Sequence, residues 1–397
     1  MMKKRVLFLN HNFEGEGTWL RCFHLGRQLA RKGYAIDIVC GRRGTRGISA
    51  RVSHAEEGLR VITLPRFGEG APYIGYALRA LMSIPYALSR RYDLVHAFAV
   101  AIPSTAVPAI SARFAAKKVL VDWDDAWEGG LAQFAHPAAA RVAGFFERKT
   151  PALAGAAGIT VVSDFLAERA RELYPSLPVH KIMNGADTAA IHPVEKAAAR
   201  RELGIPLDEP VLLSMGRTYT GSLELLLDAF VKVMEKRPTA KLYMVGEICT
   251  YGYLNDYVRR TRAKFADRIN GNIVYAGHVP YERLKYHLSA ADALVLPMED
   301  CAHETSRFPI RFGDYLASGN IIVSNAVGEI KTLMDGYRAG ITSSPADTDE
   351  FAEKMMAGLD LASSQNGYKT RARELAAGDL SWTAVADTLD AVYRDCL

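Results

Sequence analysis

The chain has 397 residues, too many for one ordinary hydrophobic core, so two domains are expected. Nearly half of them are apolar and 23% are charged, with no apolar run long enough to cross a bilayer, which describes a soluble globular protein and excludes a membrane-spanning helix. Charge is uneven: residues 1–190 carry 25 Lys and Arg against 16 Asp and Glu, while the remainder nets −4, so the first half is expected to meet an anionic partner or surface.

The first element, "RVLFLN" (5–10), has only four apolar residues after a basic head and reads as a buried strand rather than a secretory signal. The turn after it, "HNFEGEGTWLRCFHLGRQLARKG" (11–33), places Gly15 and Gly17 before a helix that Gly33 closes. A third glycine is missing and no acidic residue ends the next strand, "AIDIVC" (35–40), so the nicotinamide fingerprint is weak. These glycines either let the loop approach a ligand or form a plain turn. "YIGYALRALMSIPYALSRRYD" (73–93) mixes apolar and aromatic residues with Arg79, Arg90 and Arg91. It is either a helix lying in a lipid headgroup region or a core-facing helix with a basic end, interrupted by Pro85.

Strands follow at "DLVHAF" (93–98), "KKVLVD" (117–122) and "ITVVS" (159–163). In "VDWDDAWEGG" (121–130), Asp122, Asp124, Asp125 and Glu128 admit two readings. One is a site for a hard cation. The other, preferred because a strand sends Asp122 and Asp124 to one face and Asp125 to the other, is a sugar-hydroxyl or acid–base role for one aspartate. The turn-rich, charged segment 183–210 is the natural domain boundary.

The second half repeats the alternation, with strands at 210–216, 241–246, 272–277, 293–297, 320–325 and 339–343. Short buried runs separated by helices predict two doubly wound parallel sheets. "SMGRTYTGSLELLLDAF" (214–230) puts Gly216 and Arg217 at a strand's carboxyl end, either facing a ligand crevice or on a solvated loop. In "RFPIRFGDYLASGNIIVSN" (307–325), Pro309 suits a helix start and Gly319 the residue past its end. Arg311 then stands in the first turn, where free N–H groups and the helix dipole favour an anion. Asp314 lies one turn deeper on the same face, suited to two vicinal hydroxyls, although a surface ion pair of Arg311 with Asp314 has the same spacing. A last helix is capped by Ser381 and carries Trp382, Val385, Leu389, Val392 and Cys396 on one face, which must pack on something. Five scattered cysteines, Cys22, Cys40, Cys249, Cys301 and Cys396, without a CxxC pair, fit a reducing cytoplasm rather than a zinc site or disulfide framework.

Eight segments in order, from "GEGTWLRCFHLGRQLARKGYAIDIV" through "YDLVHAF", "ITVVSDFLAERA", "NGADTAAIHP", "SMGRTYTGSLELLLDAF", "AKLYMVGE" and "NIVYAGHVPYERLKYHLSAADALVLP" to "RFPIRFGDYLASGNIIVSNAVGEI", resemble the GT-B glycosyltransferases of retaining family four over essentially the whole chain. The resemblance implies an α/β architecture of two Rossmann-like domains facing a central cleft: residues 1–188 for the acceptor, 189–378 for a nucleotide sugar, and a helix at 379–397 crossing back. It implies a UDP- or GDP-sugar donor, a glycan, lipid-linked or small-molecule acceptor, no required metal cofactor and no nucleic-acid partner, in a cytoplasmic protein working in solution or at the membrane's inner face. By the same resemblance Arg217 and Arg311 bind the diphosphate, Gly15, Gly17 and Gly216 form donor loops, Asp314 binds the ribose, and Asp124 falls where many members carry a histidine. The first glutamate of the family's E-x7-E motif falls at Ser306, leaving Glu304 or the loop backbone to hold the sugar, and the lysine usual after Gly-Arg is absent. A sugar-nucleotide 2-epimerase and a non-catalytic partner of another transferase are the alternatives.

Overall fold

The structure is a computed structural model that describes residues 3–42, 49–65, 72–130, 136–216, 220–246, 253–269, 271–362, 364 and 367–397. The chain divides into two compact units. Unit 1 holds Met1–Asn184, Ser306–Phe308 and Trp382–Leu397; unit 2 holds Gly185–Thr305 and Pro309–Ser381.

Unit 1 is built on strands β1 (Arg5–Phe13), β2 (Ala35–Gly41), β3 (Arg51–Glu56), β4 (Leu59–Leu64), β5 (Leu94–Phe98), β6 (Lys118–Trp123), β7 (Gly158–Val161) and β8 (Val179–Lys181), in the order β3-β4-β2-β1-β5-β6-β7-β8. All neighbours are parallel except β3 and β4. Unit 2 has β9 (Val211–Met215), β10 (Lys241–Val245), β11 (Ile273–Gly277), β12 (Ala293–Leu296), β13 (Ile321–Ser324) and β14 (Ile341–Thr342), parallel throughout in the order β11-β10-β9-β12-β13-β14. The central strands are covered on both faces: Val6, Leu7, Phe8, Leu294, Val295 and Leu296 are wholly buried. That is why the sequence writes them as unbroken apolar runs rather than alternating ones. Strands β3, β4 and β8 are absent from the sequence expectation. β3 is exposed along most of its length and β8 is three half-buried residues, so neither leaves an apolar run to read.

Strand order reverses between β1 and β5 and again between β9 and β12. Open α/β sheets hold ligands outside the carboxyl ends of the strands at such points.

The final helix, Trp382–Cys396, packs on the helix Thr18–Arg31 of unit 1 and buries Trp382, Val385, Leu389 and Val392, with Trp382 stacked on His24 at 4.9 Å. Asn184 closes the first long stretch of unit 1 because its amide donates to Phe308 O at 2.5 Å, while the carbonyls of Ile182 and Met183 accept from Arg21. These bonds tie residues 306–308 and the segment leading out of β8 to the first sheet. Of the boundaries expected from sequence, the units therefore divide four residues earlier, after Asn184 rather than 188, and the last helix begins at Trp382 rather than 379.

Candidate functional site

In unit 2 the helix Ile310–Ser318 starts at Pro309, whose ψ of 129° is extended, and ends at Gly319 in the left-handed region. Tyr315 anchors it to the switch point: its hydroxyl accepts from Met215 N–H at 2.7 Å on β9 and lies 3.4 Å from Val295 O on β12. One turn nearer the start, Arg311 donates through Nη1 to Met215 O at 2.9 Å. The next residue, Gly216, has φ 88°, and a Cβ there would lie 3.1 Å from that same nitrogen, so only glycine lets the backbone turn beneath the guanidinium. Gly246, the residue after β10, with φ 104°, packs its backbone against Gly216. The result is a side-chain-free floor of backbone under an arginine at a helix N-terminus, an arrangement suited to a diphosphate. Arg217 lies outside the described residues.

Asp314 is buried and accepts from Tyr281 Oη at 2.9 Å, so it belongs to a buried pair and not to a surface ion pair with Arg311. Burial, aided by the charge of Asp187 and opposed by the Tyr281 hydrogen bond, pushes its carboxyl up to about 7. Near neutrality it is present in both forms and can accept from or donate to a hydroxyl. In the loop and helix after β12, Glu304 is 1% exposed and lies 3.3 Å from Ser222 Oγ, which takes a hydrogen bond from Glu299 N–H at 3.1 Å. Burial and the nearby Glu304 charge raise the Glu299 carboxyl. Ser306, at the position of the family's first glutamate, is wholly buried in unit 1: its hydroxyl accepts from Ala126 N–H at 3.2 Å and its carbonyl from Ser163 Oγ at 2.5 Å.

In unit 1, Gly15 (φ 84°) and Gly17 (φ 52°) form the turn after β1, and a Cβ on Gly17 would stand 2.1 Å from Asn12 Nδ2. Thr18 follows at the helix start and donates to Asp124 at 2.6 Å, which brings the glycine turn and the end of β6 together. Burial and the neighbouring Asp122 charge push the Asp124 carboxyl up to about 6, against that hydrogen bond. The hard-cation reading of the 122–128 segment does not suit the partners its residues have. Asp122 is wholly buried and bound by Arg21 through Nε at 3.0 Å and Nη2 at 2.9 Å and by Thr160 at 2.5 Å, while Glu128 pairs with Arg148 and Arg169. Among the described residues no group of three or more His, Cys, Asp or Glu side chains is placed to hold a metal. The polar chain runs on from Thr160 to His96 (3.0 Å) and from His96 to Tyr393 of the final helix (2.7 Å). Burial lowers His96 to about 4, so it is neutral.

Two of the three cations read from 73–93 are engaged. Arg79 is buried and donates to His11 O, and Arg91 pairs with Asp37; Arg90 is exposed. The helix Pro72–Leu88 instead presents Ile74, Leu81 and Leu88 to solvent, at 58%, 61% and 39% exposure. Tyr281, Ser222, Tyr315, Thr18 and Arg21 were not singled out from sequence. Two of them had a signal, Thr18 as the neighbour of Gly17 and Tyr315 four residues after Arg311 on the same helix face.

Two doubly wound units, with the last helix returned to the first, define the GT-B class of glycosyltransferase folds. Two family models match successive parts of the chain, Glycosyltransferase Family 4 over residues 16–190 and Glycosyl transferases group 1 over residues 209–360. The chain belongs to this family of group 1, family 4 glycosyltransferases. It is similar to the D-inositol 3-phosphate glycosyltransferase of Segniliparus rotundus, at 28% identity over 54% of this chain and 46% of that protein. The chain thus spans about half the length of these curated relatives. Among solved structures it is similar to the sucrose-phosphate synthase of Thermosynechococcus elongatus, with a TM-score of 0.77 at 18% identity over 99% of each chain. It is also similar to Anabaena HepE in complex with UDP-glucose, with a TM-score of 0.70 at 15% identity over 98% of this chain and 99% of that one.

Proposed function

We propose that the chain transfers a sugar from a UDP- or GDP-linked donor to an acceptor hydroxyl with retention at the anomeric carbon. The observation that carries this reading is Arg311 over the Gly216 turn at the β9/β12 switch point, with Asp314 one turn deeper on the same helix face. Arg311, the helix N-terminus and Arg217 receive the diphosphate, and Asp314 receives the ribose hydroxyls. As the bond from C1 to the phosphate oxygen breaks, these groups stabilise the charge growing on the departing diphosphate. The acceptor oxygen bonds C1 from the same face, and its proton passes to a diphosphate oxygen. Glu304 and the backbone after β12 take the part that Ser306 leaves unfilled for the donor sugar, and unit 1 holds the acceptor. HepE, whose structure holds UDP-glucose, supports the donor class.

The test is product analysis with a panel of UDP- and GDP-sugars in excess EDTA. New glycoside should form, because two arginines and a helix dipole offset the diphosphate charge without a metal. Activity restored only by magnesium or manganese would overturn the metal-free part. Ser306 in place of a glutamate favours a second reading, a weak or non-catalytic partner subunit, and a donor that binds but is never consumed would establish it.

A lipid-linked acceptor at a membrane surface is part of the proposal for unit 1, supported by its basic balance and by Ile74, Leu81 and Leu88. No helix among the described residues is long and apolar enough to cross a membrane. Vesicles containing anionic lipid should float the protein, less so at high salt, and Leu81→Glu should reduce recovery. Equal recovery with neutral vesicles, or none with either, would leave a dissolved acceptor.

A further inference from the structure

Asp314 is 6% exposed, and only one of its two carboxylate oxygens is engaged. Oδ1 accepts from the Tyr281 hydroxyl at 2.9 Å, while Oδ2 has no hydrogen-bond partner among the described residues. A carboxylate oxygen almost withdrawn from water and left unmatched is unfavourable, and a ligand hydroxyl is the group that suits it. The engaged side is supplied from a separate part of unit 2. Tyr281 opens the short 3-10 turn Tyr281–Arg283 after β11, with Pro280 before it extended at ψ 140°, and the helix Leu284–Ala290 that follows packs against Ile310–Ser318.

Tyr281 is a fixed donor in this bond. Burial first, then the charges of Asp314 and Asp187, hold its phenol well above the ordinary tyrosine range, so the hydroxyl keeps its proton near neutrality. A carboxylate pinned at one oxygen has the other aimed, and no longer turns freely. Charge around the pair is one-sided. Asp187 stands nearby with Oδ1 taking the N–H groups of Ala189 and Ala190, each at 3.1 Å. The cations of the neighbouring elements are spent elsewhere: Arg311 on Met215 O, Arg283 on Glu202 and Arg373 on Ala317 O. Tyr281 is therefore the group that favours the ionised Asp314 against burial and Asp187.

We propose that Tyr281 is the positioning residue for the nucleotide's ribose: by holding Oδ1 of Asp314 it aims Oδ2 at a ribose hydroxyl, and so sets how strongly the site tells a ribonucleotide from a deoxyribonucleotide. The inference rests on the nucleotide-sugar reading and adds to it the residue that prepares Asp314.

Calorimetric titration of the full chain with UDP, GDP and their 2′-deoxy and 3′-deoxy counterparts tests it, at pH values on either side of 7. The deoxy compounds carry the same diphosphate, so the ratio of ribo to deoxy affinity separates the Asp314 contact from phosphate titration. In the parent that ratio should exceed one for at least one deoxy position. It should grow as pH rises and level off above about 7, where the Asp314 carboxyl has lost its proton. Tyr281→Phe removes the bond that favours the ionised carboxyl, so it should lower the ratio several-fold near neutrality and move the levelling-off to higher pH. Asp187→Asn, which keeps an acceptor for Ala189 and Ala190, should move it to lower pH. Affinity for the deoxy compounds should be unchanged in both variants. A Tyr281→Phe profile identical to the parent's overturns the proposal. So does an equal loss for ribo and deoxy nucleotides at every pH, which is what a tyrosine that only supports the fold would give. A parent indifferent to both deoxy changes removes the ribose role of Asp314 and this proposal with it. Absence of any UDP or GDP binding would instead overturn the nucleotide-sugar reading beneath it.

Discussion

Arg311→Ala is expected to lower kcat/KM for transfer by about 10²–10³-fold, the usual loss when one preorganised donor to a developing anion is removed. Nucleotide binding should weaken with it, since a charge-assisted contact is worth about 1.5–3 kcal/mol. The fold should survive. Arg311 gives the protein a charge-assisted hydrogen bond to Met215 O, of the kind worth about 1.5–3 kcal/mol, while Tyr315 continues to anchor the helix to β9. Arg311→Lys should recover only part of the loss, because a point charge does not reproduce the planar fork. Arg217→Ala should act in the same direction if the two meet one diphosphate. Steady-state kinetics, nucleotide titration and thermal unfolding together decide it. Unchanged nucleotide affinity in both alanine variants would remove the site assignment.

The largest effect on stability is expected at Asp122. Its carboxylate and the Arg21 guanidinium are 0% and 1% exposed. Taking away one partner of such a pair leaves a buried charge uncompensated, which costs about 3–5 kcal/mol. Asp122→Ala should therefore destabilise unit 1 by that amount, with Asp122→Asn milder because it keeps an acceptor oxygen for Arg21 and Thr160. The measurement is unusually direct. All four tryptophans, Trp19, Trp123, Trp127 and Trp382, belong to unit 1, so tryptophan emission during urea unfolding follows that unit alone. A shift below about 1 kcal/mol would mean that water enters to solvate Arg21 and that the pair is not the keystone its burial suggests.

The sequence carried enough information to place most strands and to orient the key helix. Apolar runs such as "RVLFLN" and "ALVLP" need no partner to be recognised, because a strand buried on both faces must be apolar at every position. Pro309 and Gly319 bound their helix through local backbone rules, and the three-residue interval between Arg311 and Asp314 fixes them on one face whatever surrounds them. Gly15, Gly17 and Gly216 were visible as turns for the same reason, and the structure gives all three a positive φ, of 84°, 52° and 88°.

Which charges are free for ligand and which are used up by the fold could be decided only by tertiary structure. Asp122 and Asp124 sit two residues apart with similar local surroundings. The first is matched to Arg21, 101 residues away, and the second to Thr18, 106 residues away. Of the arginines that a headgroup reading of 73–93 would use, Arg79 is buried against His11 O, and Arg91, still exposed, pairs with Asp37. Glu147 leaves no trace in its own neighbourhood of the loop after β6 that it clasps twenty residues earlier. By itself the sequence determined the strands, helix ends and turns, because those follow from each residue's own steric and hydrogen-bonding limits. The tertiary structure alone decided the pairing of buried charge, because an ionised side chain can be buried only where the fold delivers a partner, and that partner lies far away in the chain.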